Sequence, residues 1–61
     1  MKRKELLKHL KTYGAGLLRE GRRHSIYVKD NKKTQIPRHT EIVDELVNKI
    51  CKDLGIPYNR G

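Results

Sequence analysis

The feature that most constrains this chain is an apolar stripe near its C-terminal end. Residues 42–54 carry large aliphatic side chains three and four positions apart, a spacing that predicts an amphipathic helix. Thr40 is a suitable N-cap and Gly55 a suitable stop, so we predict a helix from Thr40 to Leu54. The stripe consists of Ile42, Val43, Leu46, Val47, Ile50 and Leu54. The remainder of a 61-residue chain must supply the surface that covers it.

A second, shorter amphipathic helix is predicted at residues 2–13, with Gly14 as its stop. Its apolar side chains are Leu6, Leu7, Leu10 and Tyr13. The first turn carries three cations at the positive end of the helix dipole, namely Lys2, Arg3 and Lys4. That arrangement favours binding of phosphate or else fraying of the first residues, and the sequence leaves both interpretations open.

Three short strands are predicted between the helices, at residues 15–20, 24–28 and 34–36. Their connections are too short for parallel crossovers, so the strands form an antiparallel meander. The order is α-β-β-β-α, an α+β fold in which two helices cover one face of a three-stranded antiparallel sheet. We expect Ile26 and Val28 to face the helices and Tyr27 to face away from them.

Positive charge is concentrated in the first two thirds of the chain. Residues 1–40 contain twelve Lys or Arg against three Asp or Glu, whereas residues 41–61 contain three against four. Such an excess predicts a protein that binds a polyanion, nucleic acid above all. The alternative is a charged surface that only maintains solubility.

Several functional classes are disfavoured by what the sequence lacks. There is no membrane-spanning apolar run and no signal peptide, so we expect a cytoplasmic protein without a membrane partner. Cys51 is the single cysteine and is expected in the core. The three histidines do not have metal-ligand spacing, so we expect neither a metal nor another cofactor. Without Trp or Phe, the chain lacks the usual platform for stacking several bases.

Residues 19–27 have the composition of a site that binds phosphate and transfers protons. They combine three arginines, one histidine and two hydroxyl side chains around a predicted turn at Gly21. Imidazole titrates near neutral pH, and guanidinium groups donate paired hydrogen bonds to phosphate oxygens. RNA carries its own nucleophile, the 2′-hydroxyl, so its cleavage needs only a base, an acid and cations. His24 is therefore the candidate catalytic residue, although a histidine packed at the sheet edge fits the pattern too.

The other histidines and the two hydroxyl side chains are weaker candidates. His39 follows Arg38 at the predicted start of the last helix, where it would contact phosphate or serve only to begin the helix. His9 is expected to pack at the boundary of the first helix. Ser25 lacks the surroundings of a hydrolase triad, and Tyr27 could stack on a base, bind phosphate or pack across the sheet.

Taken together, three segments resemble the HicA toxin family. They are KELLK at residues 4–8, GRRHSIY at 21–27 and IPRH at 36–39, and the helix that ends in residues 49–55 fits as well. The resemblance implies a fold like that of double-stranded-RNA-binding domains. It also implies metal-independent cleavage of mRNA, with His24 as the catalytic histidine, and neutralisation by a HicB antitoxin. Many members have a small residue before this histidine, whereas this chain has two arginines, which adds cations at the scissile phosphate.

We therefore interpret residues 1–61 as one HicA-like domain, with 57–61 a frayed tail. The expected function is that of a type II toxin, an endoribonuclease that cleaves mRNA and so inhibits translation and growth. Its expected protein partner is an acidic HicB-like antitoxin, since a small basic domain gains stability from a partner that binds its folded state. The alternatives are a non-catalytic RNA-binding module of the same fold and a ribosome-associated basic protein.

The residues predicted to contact RNA surround His24 and extend along the first helix. Arg22 and Arg23 would stabilise the pentacoordinate phosphate, and the helix cations would hold the RNA backbone. The full set of RNA- and phosphate-binding candidates is Lys2, Arg3, Lys4, Lys8, Lys11, Arg19, Arg22, Arg23, Ser25, Tyr27, Arg38 and His39.

Overall fold

The computed structural model describes residues 1–58. Its elements are helix α1 (Arg3–Thr12), strands β1 (Gly16–Glu20), β2 (His24–Lys29) and β3 (Lys32–Pro37), and helix α2 (Asp44–Leu54). The strands form one antiparallel sheet in the order β1-β2-β3. The predicted α-β-β-β-α order is thus confirmed, and residues 59–61 of the predicted tail lie outside the described residues. Within the described part, neither helix is long and apolar enough to cross a membrane.

Tight turns connect the strands. Between β2 and β3 the backbone of Asp30 is left-handed, with φ 56°, a conformation that Asp tolerates because its short side chain bonds locally. β2 and β3 are paired along the whole length of β2, and His24 lies opposite Pro37. On the other side of β2, the register with β1 shifts around Leu18, where the strand bulges.

The core lies between one face of the sheet and both helices. Its buried apolar side chains come from α1, β3, α2 and the connections between elements: Leu6, Leu10, Ala15, Ile36, Ile42, Val47, Ile50, Cys51, Leu54 and Ile56. Tyr27 packs against this core from β2. Cys51 is buried, as expected, and burial raises the pKa of its thiol. The two helices therefore cover one face of the sheet, as the sequence predicted.

The face of β2 that the helices cover is the reverse of the predicted one. Ser25 and Ile36 are paired across β2 and β3, and both are buried, so the positions that alternate with them face away from the core. Ile26 and Val28 consequently lie on the open face, on the same side as His24. The expectation that these two aliphatic residues pack under the helices is wrong.

The reason is that two hydroxyl side chains have internal partners on the covered face. Ser25 is bonded to Glu20 and Arg3, and Thr34 donates to Asp53 at 3.2 Å. A buried hydroxyl is destabilising only when it lacks such a partner. These partners come from other elements, and local alternation of residue types does not reveal them.

The start of the last helix also differs from the prediction. Its N-cap position is Val43, not Thr40. Residues 40–42 instead run beside the first residues of the chain. The amide of Arg3 donates to the carbonyl of Thr40, and the amide of Ile42 to the carbonyl of Met1, each at 2.8 Å. His39 therefore lies in the β3–α2 connection, and its predicted position at a helix N-terminus is wrong.

The helix ends agree with the sequence. Gly14 and Gly55 adopt left-handed conformations, with φ 91° and 69°, where α1 and α2 stop. After α2 the chain returns to α1, where His9 Nε2 donates to the carbonyl of Pro57 at 2.9 Å. The ring of Tyr58 meets the His9 ring edge-on, with the centroids 5.9 Å apart. His9 thus has the packing role that was expected of it.

Candidate active site

A groove between β3 and α2 brings His24 and His39 together. Its volume is about 450 Å³. Lys33 and Gln35 are among the β3 residues that line it, and α2 contributes Lys49 among others. His24 is half-buried at the start of β2, whereas His39 is exposed in the β3–α2 connection. Two imidazoles and two ammonium groups beside one groove form a set that can bind a phosphodiester and transfer protons to it.

A tight turn at residues 21–23 determines the position of His24. The amide of Gly21 donates to the carbonyl of His24 across 2.8 Å and closes the turn. A Cβ atom at position 21 would lie 3.0 Å from that carbonyl oxygen, so the close approach favours glycine. The turn leaves Arg22 and Arg23 exposed directly before the histidine.

Arg38 holds this turn from the end of β3. Its Nη2 donates to Glu20 Oε1 at 2.9 Å and to the carbonyl of Gly21. Its Nη1 reaches the carbonyl of Arg22 at 3.4 Å. One guanidinium therefore binds three successive residues ahead of His24. Arg38 was predicted to contact RNA, and that contact stays a prediction, because the bonds described here are all within the protein.

Glu20 extends these contacts to the first helix. Ser25 Oγ donates to Glu20 Oε1 at 2.6 Å, and Arg3 Nη2 donates to Ser25 Oγ at 2.8 Å. Arg3 Nε also donates to the carbonyl of Pro37 at 2.9 Å. We call Arg3, Glu20, Ser25 and Arg38 the Glu20 network. The pKa of Glu20 is lowered below its ordinary value of 4.5. The hydrogen bond from Ser25 has the largest effect, and the interaction with Arg38 adds a smaller one.

Ser25 and Tyr27, two further predicted RNA contacts, face the helices. Ser25 is only 1% exposed, and its hydroxyl belongs to the Glu20 network. Tyr27 is half-buried against the core. The alternatives that the sequence left open for Tyr27 were base stacking, phosphate binding and packing across the sheet, and the packing that the structure shows is against the core. Direct contact of either side chain with RNA stays a prediction.

The predicted RNA-binding cations lie on several surfaces. Lys2 and Lys4 border a small pocket beside Arg38, and Lys8 and Lys11 border an apolar groove between α1 and β1. Arg19 lies on the open face of the sheet, in a depression that it shares with Ile26 and Lys33. Within residues 1–58, the lining of the His24 groove includes none of the nine lysines and arginines that were predicted to contact RNA.

The groove is lined instead by cations that the sequence did not single out. Lys33 and Gln35 lie on the same face of β3, because side chains alternate between the two faces of a strand. Their place beside the groove could be predicted only once the buried face of the sheet was known. Lys49 comes from α2, and its proximity to β3 is set by packing between elements, for which the sequence gives no signal. Lys49 Nζ lies 3.0 Å from Asp53 Oδ2. This contact lowers the pKa of Asp53, and the hydrogen bond from Thr34 lowers it further by a smaller amount.

Comparison with known proteins identifies the family. A family model described as the HicA toxin of bacterial toxin-antitoxin matches residues 3–56. The chain belongs to the HicA toxin family. No curated protein and no solved structure matches it at a significant level. The likeness to double-stranded-RNA-binding domains that the resemblance implied stays a prediction.

Membership of the HicA family supports a toxin role and implies an antitoxin partner. The match extends from the first residue of α1 to beyond the end of α2, so it includes every helix and strand described above. In this HicA-family chain, two of the segments that carried the resemblance meet at one place. Arg38, in the connection after β3, donates to the carbonyls of Gly21 and Arg22 in the turn at residues 21–23. His24 follows that turn and His39 follows Arg38, and both histidines line the groove.

Proposed function

We propose that this HicA-family chain is the toxin of a type II toxin–antitoxin system and acts in the cytoplasm as an mRNA endoribonuclease. It cleaves mRNA without a metal ion and thereby inhibits translation and growth. The observation that carries this proposal is an imidazole, His24, beside an open groove in a chain of formal net charge +8. Imidazole can accept or donate a proton at cellular pH, and the positive charge attracts a polyanionic substrate.

The proposed chemistry needs few groups because RNA supplies the nucleophile. His24 acts either as the general base for the attack of the 2′-hydroxyl on the neighbouring phosphorus or as the general acid for the departure of the 5′ oxygen. Arg22 and Arg23, exposed on the adjoining turn, stabilise the charge that accumulates on the phosphate oxygens. Side chains that could read base edges are few here, so we expect low sequence selectivity.

RNA affinity in this proposal comes from the exposed cations of α1, of β1 and of the residue that precedes α1. Lys2, Lys4, Lys8, Lys11 and Arg19 contact the phosphate backbone, so binding weakens steeply as salt is raised. We assign Arg3 and Arg38 chiefly to positioning, since their guanidinium groups bond to Ser25, Pro37 and Glu20 within the protein. Their effect on cleavage passes through the turn that precedes His24.

The proposed partner is an acidic antitoxin of the HicB type. Family membership supports a partner of the antitoxin class, and the net charge of +8 favours an acidic one. Carboxylates laid over Arg22 and Arg23 would cover His24. Co-expression with the neighbouring reading frame, followed by native mass measurement, should give a complex heavier than 7.2 kDa. Detection of the 7.2 kDa species alone would contradict the proposal.

Cleavage of RNA in the presence of EDTA tests the nuclease function. The wild type should cut, and His24→Ala should bind the same RNA but cut it about 10²- to 10⁴-fold more slowly. In cells, expression of the wild type should arrest growth, whereas the variant should not. A protein that binds RNA and never cuts it is the non-catalytic module that the sequence left as the alternative. Cutting that requires a divalent metal would overturn the proposed chemistry.

A further inference from the structure

We propose that His24 and His39 act as an acid–base pair on one phosphodiester bound in the groove between β3 and α2, and that the products are a 2′,3′-cyclic phosphate and a 5′-hydroxyl. This inference rests on the proposed ribonuclease function and goes beyond it. It adds a second catalytic group and specifies the products of the reaction.

Strand register brings the two histidines to the same end of the groove. His24 pairs with Pro37, and His39 follows Pro37 by two residues. A cross-strand Cα separation of about 5.5 Å and a rise of about 3.6 Å per residue hold the two Cα atoms within roughly 13 Å. Both side chains line the groove, so their imidazoles can flank a single phosphate.

The remaining charged groups of the groove suit a phosphodiester substrate. Lys33 and Lys49 supply positive charge, and Gln35 supplies a neutral donor. A volume of about 450 Å³ is within the usual range for a site that holds a small ligand.

Asp53 is the one acidic side chain that lines the groove within residues 1–58, and it is a poor proton donor. Its Oδ2 atom lies 3.0 Å from Lys49 Nζ and accepts a hydrogen bond from Thr34 at 3.2 Å. Both contacts stabilise the ionised carboxylate and lower its pKa. The two imidazoles are therefore the groups best suited to exchange protons with the substrate near neutral pH.

The reaction balances with two proton transfers. One neutral imidazole removes the proton from the 2′-hydroxyl as the bond between O2′ and phosphorus forms. The other histidine, as imidazolium, donates a proton to O5′ as the bond between phosphorus and O5′ breaks. The enzyme ends with the two protonation states exchanged, and proton exchange with water restores them.

A substrate with a sulfur leaving group tests the pair. In an RNA oligonucleotide with one bridging 5′-phosphorothiolate, sulfur replaces O5′ and departs as a thiolate that needs no proton. On ordinary RNA, His39→Ala and His24→Ala should each cut about 10²- to 10⁴-fold more slowly than the wild type. On the sulfur substrate, the variant that lacks the general acid should regain most of the wild-type rate, and the variant that lacks the general base should not.

Two controls separate the possible outcomes. His9→Ala removes an imidazole that packs against Pro57 and Tyr58, away from the groove, and should cut both substrates as the wild type does. His39 is exposed, so circular dichroism of His39→Ala should match the wild type. Wild-type rates for His39→Ala on ordinary RNA would overturn the pair, and so would failure of the sulfur substrate to rescue either variant. A wild type that cuts no RNA would overturn the ribonuclease function itself.

Discussion

Arg38 Nη2 lies 2.9 Å from Glu20 Oε1, and this contact joins the end of β3 to the turn that precedes His24. The same guanidinium also donates to the carbonyls of Gly21 and Arg22. An exposed ion pair by itself contributes little to stability. Here the pair fixes the path of three residues whose position determines where His24 lies, so its main consequence is geometric.

Replacing Arg38 should therefore reduce activity more than stability. We expect Arg38→Ala to lower the free energy of unfolding by about 1 kcal/mol and RNA cleavage by about tenfold to a hundredfold. Hydrogen exchange should show faster exchange of the Gly21 amide. Lys29→Ala is a matched control, since it removes a cation that pairs with Asp30 at 3.6 Å beside the other hairpin turn. Equal effects of the two substitutions on cleavage would contradict a positioning role for Arg38.

Two glycines give opposite expectations for the same substitution. Gly21→Ala places a methyl group 3.0 Å from the carbonyl oxygen of His24, so the turn must shift, at a cost of about 1 kcal/mol or more. Gly16→Ala meets no atom within 4 Å and should be neutral or stabilising by about 0.4–1 kcal/mol, because alanine restricts the unfolded chain. Urea unfolding midpoints compare the two directly. A Gly21→Ala variant as stable as Gly16→Ala would show that the turn tolerates a side chain.

Removal of the Ser25 hydroxyl should destabilise the protein. Ser25→Ala deprives Glu20 of a donor and Arg3 of an acceptor in a nearly inaccessible position, so we expect a loss of about 1–3 kcal/mol. Thr12→Ala is the control, since it removes an exposed hydroxyl that donates to the carbonyl of Lys8 at 3.0 Å. Its effect should stay within about 0.5 kcal/mol. Thermal unfolding of the two variants at neutral pH measures the difference, and equal melting temperatures would contradict the importance of the Glu20 network.

The lowered pKa of Glu20 predicts a specific loss of stability in acid. In the unfolded chain its carboxyl has the ordinary value of 4.5, whereas the hydrogen bond from Ser25 and the interaction with Arg38 lower the pKa in the folded protein. The unfolded chain thus takes up the proton at a higher pH. The stabilisation from Glu20 is present above pH 4.5 and is lost as pH falls through the lowered pKa.

Urea titrations at a series of pH values test this linkage. The difference in unfolding free energy between the wild type and Glu20→Gln should be largest at neutral pH and should shrink in acid. Asp53→Asn removes the other carboxylate with a lowered pKa and should leave the Glu20 contribution in place. A difference between wild type and Glu20→Gln that stays constant with pH would show that the charge of Glu20 contributes nothing.

Local sequence patterns predicted the elements that depend on local chemistry. The apolar spacing of both helices, the glycines that end them and the short turns between strands each act within a few residues. The features that were predicted wrongly, such as the start of α2, depend on contacts between residues distant in the sequence. Thr40 looks like an N-cap, but its carbonyl accepts a hydrogen bond from the amide of Arg3, and the helix begins only after Val43.

The same distinction explains the partial prediction of the site. His24 could be found because arginines and a turn surround it in the sequence. Its orientation could not, since the burial of Ser25 depends on Glu20 and on Arg3, which is 22 residues away. The lysines that line the groove come from β3 and α2, and only the packing of those elements brings them beside His24.

The most direct test is the single-turnover rate at which His24→Ala cleaves RNA in EDTA. We expect this rate to fall by about 10²- to 10⁴-fold relative to the wild type, with unchanged RNA affinity and an unchanged circular dichroism spectrum. His9→Ala should retain the wild-type rate. Equal rates for His24→Ala and the wild type would contradict histidine catalysis in this chain.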